Sequence, residues 1–272
     1  MKPAGPVIKL SSPETREFWP VPVVWEDAHL LALDKPARLL TSPDRYDPKR
    51  PNLIRLLHEG IAAGKPWAVE RGLTYLSNAH RLDFETTGVL LLAKDRPTLV
   101  TLANHFGSET PRKTYLALVQ GTPRENAFSV DKPLAADRFK PGIIRISRAG
   151  KKSLTDFVVR ERFRGVSLVE AHPHTGRTHQ IRVHLAEAGF PIFGDRVYGG
   201  LHLLLSSFKR SYHLKEEKLE RPLISSLALH AWKLELPHPV GGQRIQIEAP
   251  WPRDFEVALK YLRRYALGPQ AG

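Results

Sequence analysis

The apolar residues of this chain are cut into short runs, and that pattern restricts the fold more than any other feature. "VLLLA" (89–93) is an unbroken apolar stretch with a turn before it, and "KTYLALVQG" (113–121) is apolar on both alternating faces. Runs of this length suit strands covered on both sides. "VPVVWEDAHLLALDKPARLLT" (21–41) reads as two strands joined at "EDAH". "TDFVVRERF" and "VSLVEAHP" form a hairpin around Arg164-Gly165, and "LALHAWKLELPHP" and "RIQIEAP" supply two further strands. Helical spacing is rarer. It spans 52–63, with Gly64 at the end, and a segment starting near Pro97 and stopping around Gly107. A third helix is expected from Thr178, as its cap, to Gly189, with Arg182 in the second turn, and a last one from Asp254, as its cap, to the stop at Gly268-Pro269.

Strands outnumber helices and tight turns join them, which favours an α+β domain with a mainly antiparallel sheet over a doubly wound fold. A single domain over 20–268 follows, with 1–19 as a loosely held tail and 201–222 as a charged surface insertion. A chain of 272 residues is long enough to bury a substantial core. No run approaches the ~20 apolar residues needed to span a bilayer. The opening "MKPAGPVIKLSSPETREFWP" lacks the apolar centre of a secretory signal.

Composition then narrows the chemistry. Cysteine is absent, which removes disulfides, thiol nucleophiles and Cys-based zinc or iron-sulfur sites, and fits a cytosolic protein. Forty-one Lys and Arg against 28 Asp and Glu give a net charge of +13. Such a field favours polyanions, RNA or DNA above all. The cations are spread along the chain rather than gathered in one block, which suits a folded groove better than a disordered arm. Neither G-x-G-x-x-G nor G-x-x-x-x-G-K-[ST] occurs, which argues against dinucleotide and P-loop nucleotide binding.

Three clusters can carry chemistry. In "HRLDFETTG" (80–88), Asp83 and Glu85 project to the same side of an extended chain, about 7 Å apart. A glycosidase pair must oppose each other across a substrate, which two residues this close in one segment seldom do. Asp83 therefore stands as either a turn-forming acid or a nucleophile. In "RKTYLALVQG", Tyr115 shares a face with Lys113 and is either a core tyrosine or a base-stacking one. The third cluster, "HPHTGRTHQIRVHLAEAGFPIFGDRVYGG", holds His172, His174, His179 and His184 at a spacing poor for a metal site. Its helix start, with Arg177 and His179, forms a natural phosphate cradle. Arg182 is either a surface helix cation or the partner that keeps a carboxylate ionised.

Taken in order, "VVWEDAHLLALDKPA", "HRLDFETTGVLLLAKD", "KTYLALVQG", "GRTHQIRVHLAEAGFPIFGDRVYGG" and "LALHAWKLELPHP" resemble the signature segments of RluA-type pseudouridine synthases over roughly residues 20–255. The resemblance implies a mixed, largely antiparallel sheet with flanking helices and the active site in a central basic cleft. It also implies a cofactor-free isomerisation of uridine in rRNA or tRNA. Carried over by motif, it makes Asp83 the catalytic aspartate, Tyr115 the active-site tyrosine and Arg182 the basic partner of the aspartate. Ile181 becomes the apolar residue beside the base, and Arg81 the residue that holds the target nucleotide out of its helix. His80, Lys113, Arg177 and His179 are expected to line the substrate site. No metal, no nucleotide cofactor and no membrane are implied, and a monomer in the cytoplasm suffices.

Two positions depart from the pattern: Thr87 replaces a serine, and Arg38 stands where the family has glycine, so that turn is expected to be remodelled. No small N-terminal RNA-binding domain of the S4 kind is expected before residue 20. The 201–222 insertion, with Lys209, Arg210 and Lys215, is expected to contribute to substrate choice. The readings left beside an RNA isomerase are a non-catalytic RNA-binding or ribosome-assembly factor and a base-excising glycosylase.

Overall fold

The computed structural model describes residues 5–44, 47–210, 212 and 219–267. The chain divides into two compact units, Met1–Lys113 with Ala231–Pro250, and Thr114–His230 with Trp251–Gly272. The first contains β1 (Val7–Ser12), β2 (Glu17–Glu26), β3 (Leu30–Lys35), α1 (Leu53–Ala62), the one-turn α2 (Pro66–Val69), β4 (Ser77–Asn78), β5 (Thr87–Ala93) and α3 (Arg96–Gly107). β6 (Arg112–Gln120) leads into the second unit. That unit holds β7 (Ala127–Asp131), β8 (Leu134–Ala136), β9 (Ile144–Ile146), β10 (Leu154–Phe163), β11 (Val166–Pro173) and α4 (Gln180–Glu187). β12 (Leu229–Pro237) returns the chain to the first unit and to β13 (Arg244–Glu248), and α5 (Arg253–Tyr265) belongs to the second. Among the described residues, no helix is long and apolar enough to cross a membrane.

The strands of the first unit run in the order β1-β2-β3-β5-β12, with β4 on β5 and β13 on β12. Those of the second run β6-β11-β10-β7, and β8 and β9 form a separate two-stranded ribbon. The registered strand pairs in both units are antiparallel. The expected class, α+β with a mainly antiparallel sheet, is therefore the one adopted.

β5 shows why its sequence is apolar throughout. Val89, Leu91 and Ala93 join Leu30 and Ala32 of β3 and Leu102 of α3 in one buried cluster, while Leu90 and Leu92 are buried as well. Both faces are covered, so no alternation survives in the sequence. The turn before it depends on Gly88, whose φ is 111° and whose missing side chain would stand 2.2 Å from the carbonyl oxygen of Ala231.

Four expectations need correction. Residues 7–19 are not a loose tail: β1 and the start of β2 form a hairpin, with Ile8 opposite Val21 and Leu10 opposite Trp19, all buried. Pro20 and Pro22 of β2 alternate with Val21 and Val23. Val23 donates its N–H towards the β1 side, to Pro6, so the two prolines turn their donorless nitrogens the other way, where β3 pairs only from Val23 onward. Thr178 does not cap α4; His179 does, in the left-handed region at φ 54°, and Arg182 falls in the first turn. Asp254 lies inside α5, whose N-cap is Pro252. The 201–222 segment is not purely a surface excursion, because Leu203 and Phe208 are buried. Lys215 and Gly268-Pro269 lie outside the described residues.

Candidate active site

The loop that carries Asp83 is held from both sides in the first unit. Just before it, the Thr41 hydroxyl donates to the carbonyl of Leu82 at 3.0 Å and accepts from its N–H at 3.2 Å. Just after it, the Lys35 ammonium donates to the carbonyl of Phe84 at 3.3 Å, and also to Pro36 at 2.8 Å and Leu39 at 2.7 Å. Thr86 closes the turn by donating its N–H to the backbone carbonyl of Asp83 at 3.2 Å. The backbone around Asp83 is thus braced on both sides, and its side chain is half-buried.

Lys35 is wholly buried. Burial pushes its ammonium down to about 7, opposed by the negative charges of Asp83 and Asp34. Burial likewise pushes the Asp34 carboxyl up to about 6, against a hydrogen bond from Gly88 N–H and the charge of Lys35. The neighbouring turn carries Arg38 in the left-handed region. That residue adopts φ 60°, the conformation a glycine would take, and its guanidinium stands 3.9 Å from Glu85. Glu85 faces a partly exposed cation and is no counterpart to Asp83.

His80 has a job the motif alone does not reveal. Its Nε2 accepts from the N–H of Leu91 at 2.9 Å, and its ring stacks on Phe106 at 4.6 Å. Burial, and then the charge of Lys113, pushes the imidazole down to about 3, so it is a neutral acceptor pinning the motif loop to β5. Arg81 is exposed.

The second unit holds the other candidates. Arg182 is buried and forks onto Asp195, Nε to Oδ2 at 2.7 Å and Nη2 to Oδ1 at 2.9 Å. Asp195 also accepts from the N–H groups of Val197 at 3.2 Å and Tyr198 at 3.3 Å. The Tyr198 ring lies 5.0 Å from the Arg182 guanidinium carbon, and its hydroxyl reaches His179 Nδ1 at 2.8 Å. Arg182 is therefore no surface helix cation. Its plane is fixed by a carboxylate on one edge and an aromatic ring beside it.

Ile181, beside it, is buried. Arg177 donates through Nε to the carbonyl of Lys152 at 3.1 Å, and Gln180 braces the preceding turn by accepting from Thr175 and from Arg177 N–H. Tyr115 is half-buried on β6, opposite Ala171 of β11. The four histidines go to separate partners: His172 to Glu170, His174 to Asp156, His179 to Tyr198, and His184 to Ser153 and Thr155.

Residues 29–187 match the family described as RNA pseudouridylate synthase. The chain belongs to the RNA pseudouridylate synthase family. It is similar to the ribosomal large subunit pseudouridine synthase C of Yersinia pestis, 35% identical over 246 residues that cover 90% of this chain and 70% of the relative. The synthase C of Escherichia coli (strain K12) is 37% identical over 243 residues, 89% of this chain and 70% of that one. Among solved structures, human RNA Pseudouridylate Synthase Domain Containing 4 superposes with a TM-score of 0.66 at 26% identity, covering 89% of this chain and 92% of that chain.

Seen as a pseudouridylate synthase, the molecule adds four residues that the motifs did not single out. Lys35 and Thr41 fix the Asp83 backbone, while Asp195 and Tyr198 fix Arg182. Asp195 and Tyr198 lie outside the matched span. An acid directly after the apolar "PIFG" was the available signal for Asp195, and the acid-lysine step buried at the end of β3 was the signal for Lys35.

Proposed function

We propose that this chain isomerises specific uridines of ribosomal RNA to pseudouridine, with Asp83 as nucleophile. The observation that carries the site assignment is the half-buried Asp83 carboxylate on a backbone braced by Thr41 and Lys35, within the span that matches the family. The ribosomal substrate is taken from the names of the relatives, with transfer RNA as the second choice. In the proposed reaction the bond between uracil N1 and the anomeric carbon breaks. The base turns in place, C5 bonds to the anomeric carbon, the C5 proton leaves, N1 takes up a proton, and the transient bond to Asp83 is released. Atoms balance without a cofactor, and a carboxylate nucleophile is the only covalent participant required.

Tyr115 stacks on the flipped base and assists the late proton removal, which offsets part of the unstacking cost. Arg182 keeps Asp83 ionised, and Ile181 packs beside the base. Arg81 holds the nucleotide out of its helix, with Lys113, Arg177 and His179 towards the RNA backbone. His80 serves the site indirectly, by fixing the loop to β5. The protein works as a monomer in the cytoplasm, with no nucleotide cofactor and no membrane.

Uridine-labelled large-subunit ribosomal RNA transcripts test this. The expected product is pseudouridine. Free uracil identifies a glycosylase, and RNA binding with no product identifies a non-catalytic factor. Asp83→Asn is expected to bind the same RNA within a few-fold of the wild type and to lose turnover; full activity in that variant refutes the assignment.

A further inference from the structure

The β8–β9 ribbon stands apart from the main strands of its unit and carries the most exposed aromatic side chain among the described residues. Seven residues, "DRFKPGI" (137–143), connect its strands. Phe139 is 91% exposed. This is not a slack loop. Asp137 accepts from the N–H groups of Phe139 at 2.8 Å and Lys140 at 3.0 Å, and the backbones of Asp137 and Ile143 bond to each other. The turn is built so that it presents an aromatic ring to water, against the hydrophobic preference of that ring.

Charge tells what such a ring is for. Arg138, Lys140, Arg145, Arg148, Lys151 and Lys152 are all exposed on the ribbon and just after it, while Asp137 is turned onto its own backbone and towards Arg145. An aromatic ring among cations fits an unpaired base next to phosphates, since bases stack on rings and phosphates pair with guanidinium and ammonium groups. A second observation ties the ribbon to the site. At its root, Ile144 N–H donates to the Tyr198 hydroxyl at 2.9 Å, and this is the tyrosine that reaches His179 and flanks Arg182.

We infer that the β8–β9 ribbon is an RNA-holding arm, in which Phe139 stacks on an unpaired base near the target uridine while Arg138 and Lys140 contact phosphates. Tyr198 anchors the arm beside Arg182. The inference rests on the RNA reading given above and adds a specificity-determining residue to it.

The test compares wild type with Phe139→Ala, Phe139→Leu and Phe139→Trp on a large-subunit ribosomal RNA transcript, with binding and turnover measured separately at fixed salt. Loss of one base stack weakens RNA binding by about tenfold. Phe139→Ala is expected to raise both Kd and KM by about that factor while kcat stays within twofold of wild type. Phe139→Leu, which keeps apolar area without a π-face, should resemble the alanine variant, and Phe139→Trp should restore the wild-type constants. Because the side chain is exposed, all three should melt with the wild type; if the alanine variant melts lower, the leucine variant decides. Equal Kd for wild type, alanine and leucine variants overturns the arm. Absence of pseudouridine with wild type overturns the isomerase reading instead, and the binding comparison still decides the role of Phe139.

Discussion

A lysine ammonium survives without water only where oxygens replace that water, and Lys35 meets three carbonyls, those of Pro36, Leu39 and Phe84. Its value in the folded state, about 7, lies below the 10.5 of an unperturbed lysine. Between the two, the unfolded chain binds a proton that the folded chain has given up. The contribution of this site to stability therefore rises with pH from about 7 to about 10.5. Lys35→Met removes that rise and leaves three carbonyls without their donor, that of Leu39 buried, at ~1–3 kcal/mol for a buried one that finds no other. Urea unfolding at a series of pH values is expected to show wild type gaining on Lys35→Met as pH increases. Parallel curves would mean that the ammonium is not the group that titrates. The same substitution frees the carbonyl that follows Asp83, so turnover should fall with the stability of the loop.

One element higher, α4 and the turn after it act as a single device. The helix aims Arg182, and the turn from Asp195 to Tyr198 returns a carboxylate and a ring to the same guanidinium. Asp195→Asn keeps the shape and one oxygen but gives up the charged fork. A guanidinium displaced by about 1 Å is enough to lower turnover on the order of 100-fold. Single-turnover assays should show that loss in the rate with RNA Kd unchanged, whereas Asp195→Ala strands a buried cation and should cost ~3–5 kcal/mol in thermal unfolding. A merely structural Asp195 would lower the melting temperature of Asp195→Asn and leave its rate intact.

What could be read in the sequence divides along the same line. β5, β6, the β10–β11 hairpin and α3 were legible because their apolar runs and turn residues are local. The β1–β2 hairpin was not, because its first strand lies in a stretch rich in Pro and polar residues that shows little periodicity. The start of α4 is not legible locally, because Thr178 satisfies the usual preference for a cap while the structure caps the helix at His179. His179 takes the left-handed conformation in a setting that includes Tyr198, nineteen residues on. The ribbon of β8 and β9 has strands of three residues and no apolar run to announce it. At the site, the motif order marked Asp83, Tyr115 and Arg182, while the supports of the Asp83 loop, Lys35 and Thr41, come from chain more than forty residues away.

At the scale of the whole molecule, the surplus of cations separates what holds the protein together from what holds its RNA. Many acids are engaged by basic side chains at the surface, as in Arg55 with Glu59 and Glu14, or Arg263 with Glu161. Exposed pairs of this kind contribute little each and are screened by salt. The net +13 that remains repels itself in the folded state and attracts phosphate. Added salt therefore acts in opposite directions on the two. Raising KCl from about 50 to about 200 mM should weaken RNA binding steeply, with a slope of log K on log salt near −0.7 to −0.9 for every phosphate contacted. Over the same range the melting temperature should hold or rise slightly as self-repulsion is screened. Removing Arg138 and Lys140 together should lower the magnitude of the slope by about two while leaving the melting curve in place. A binding constant indifferent to salt would show that stacking and shape, rather than the charge written across the sequence, carry the affinity.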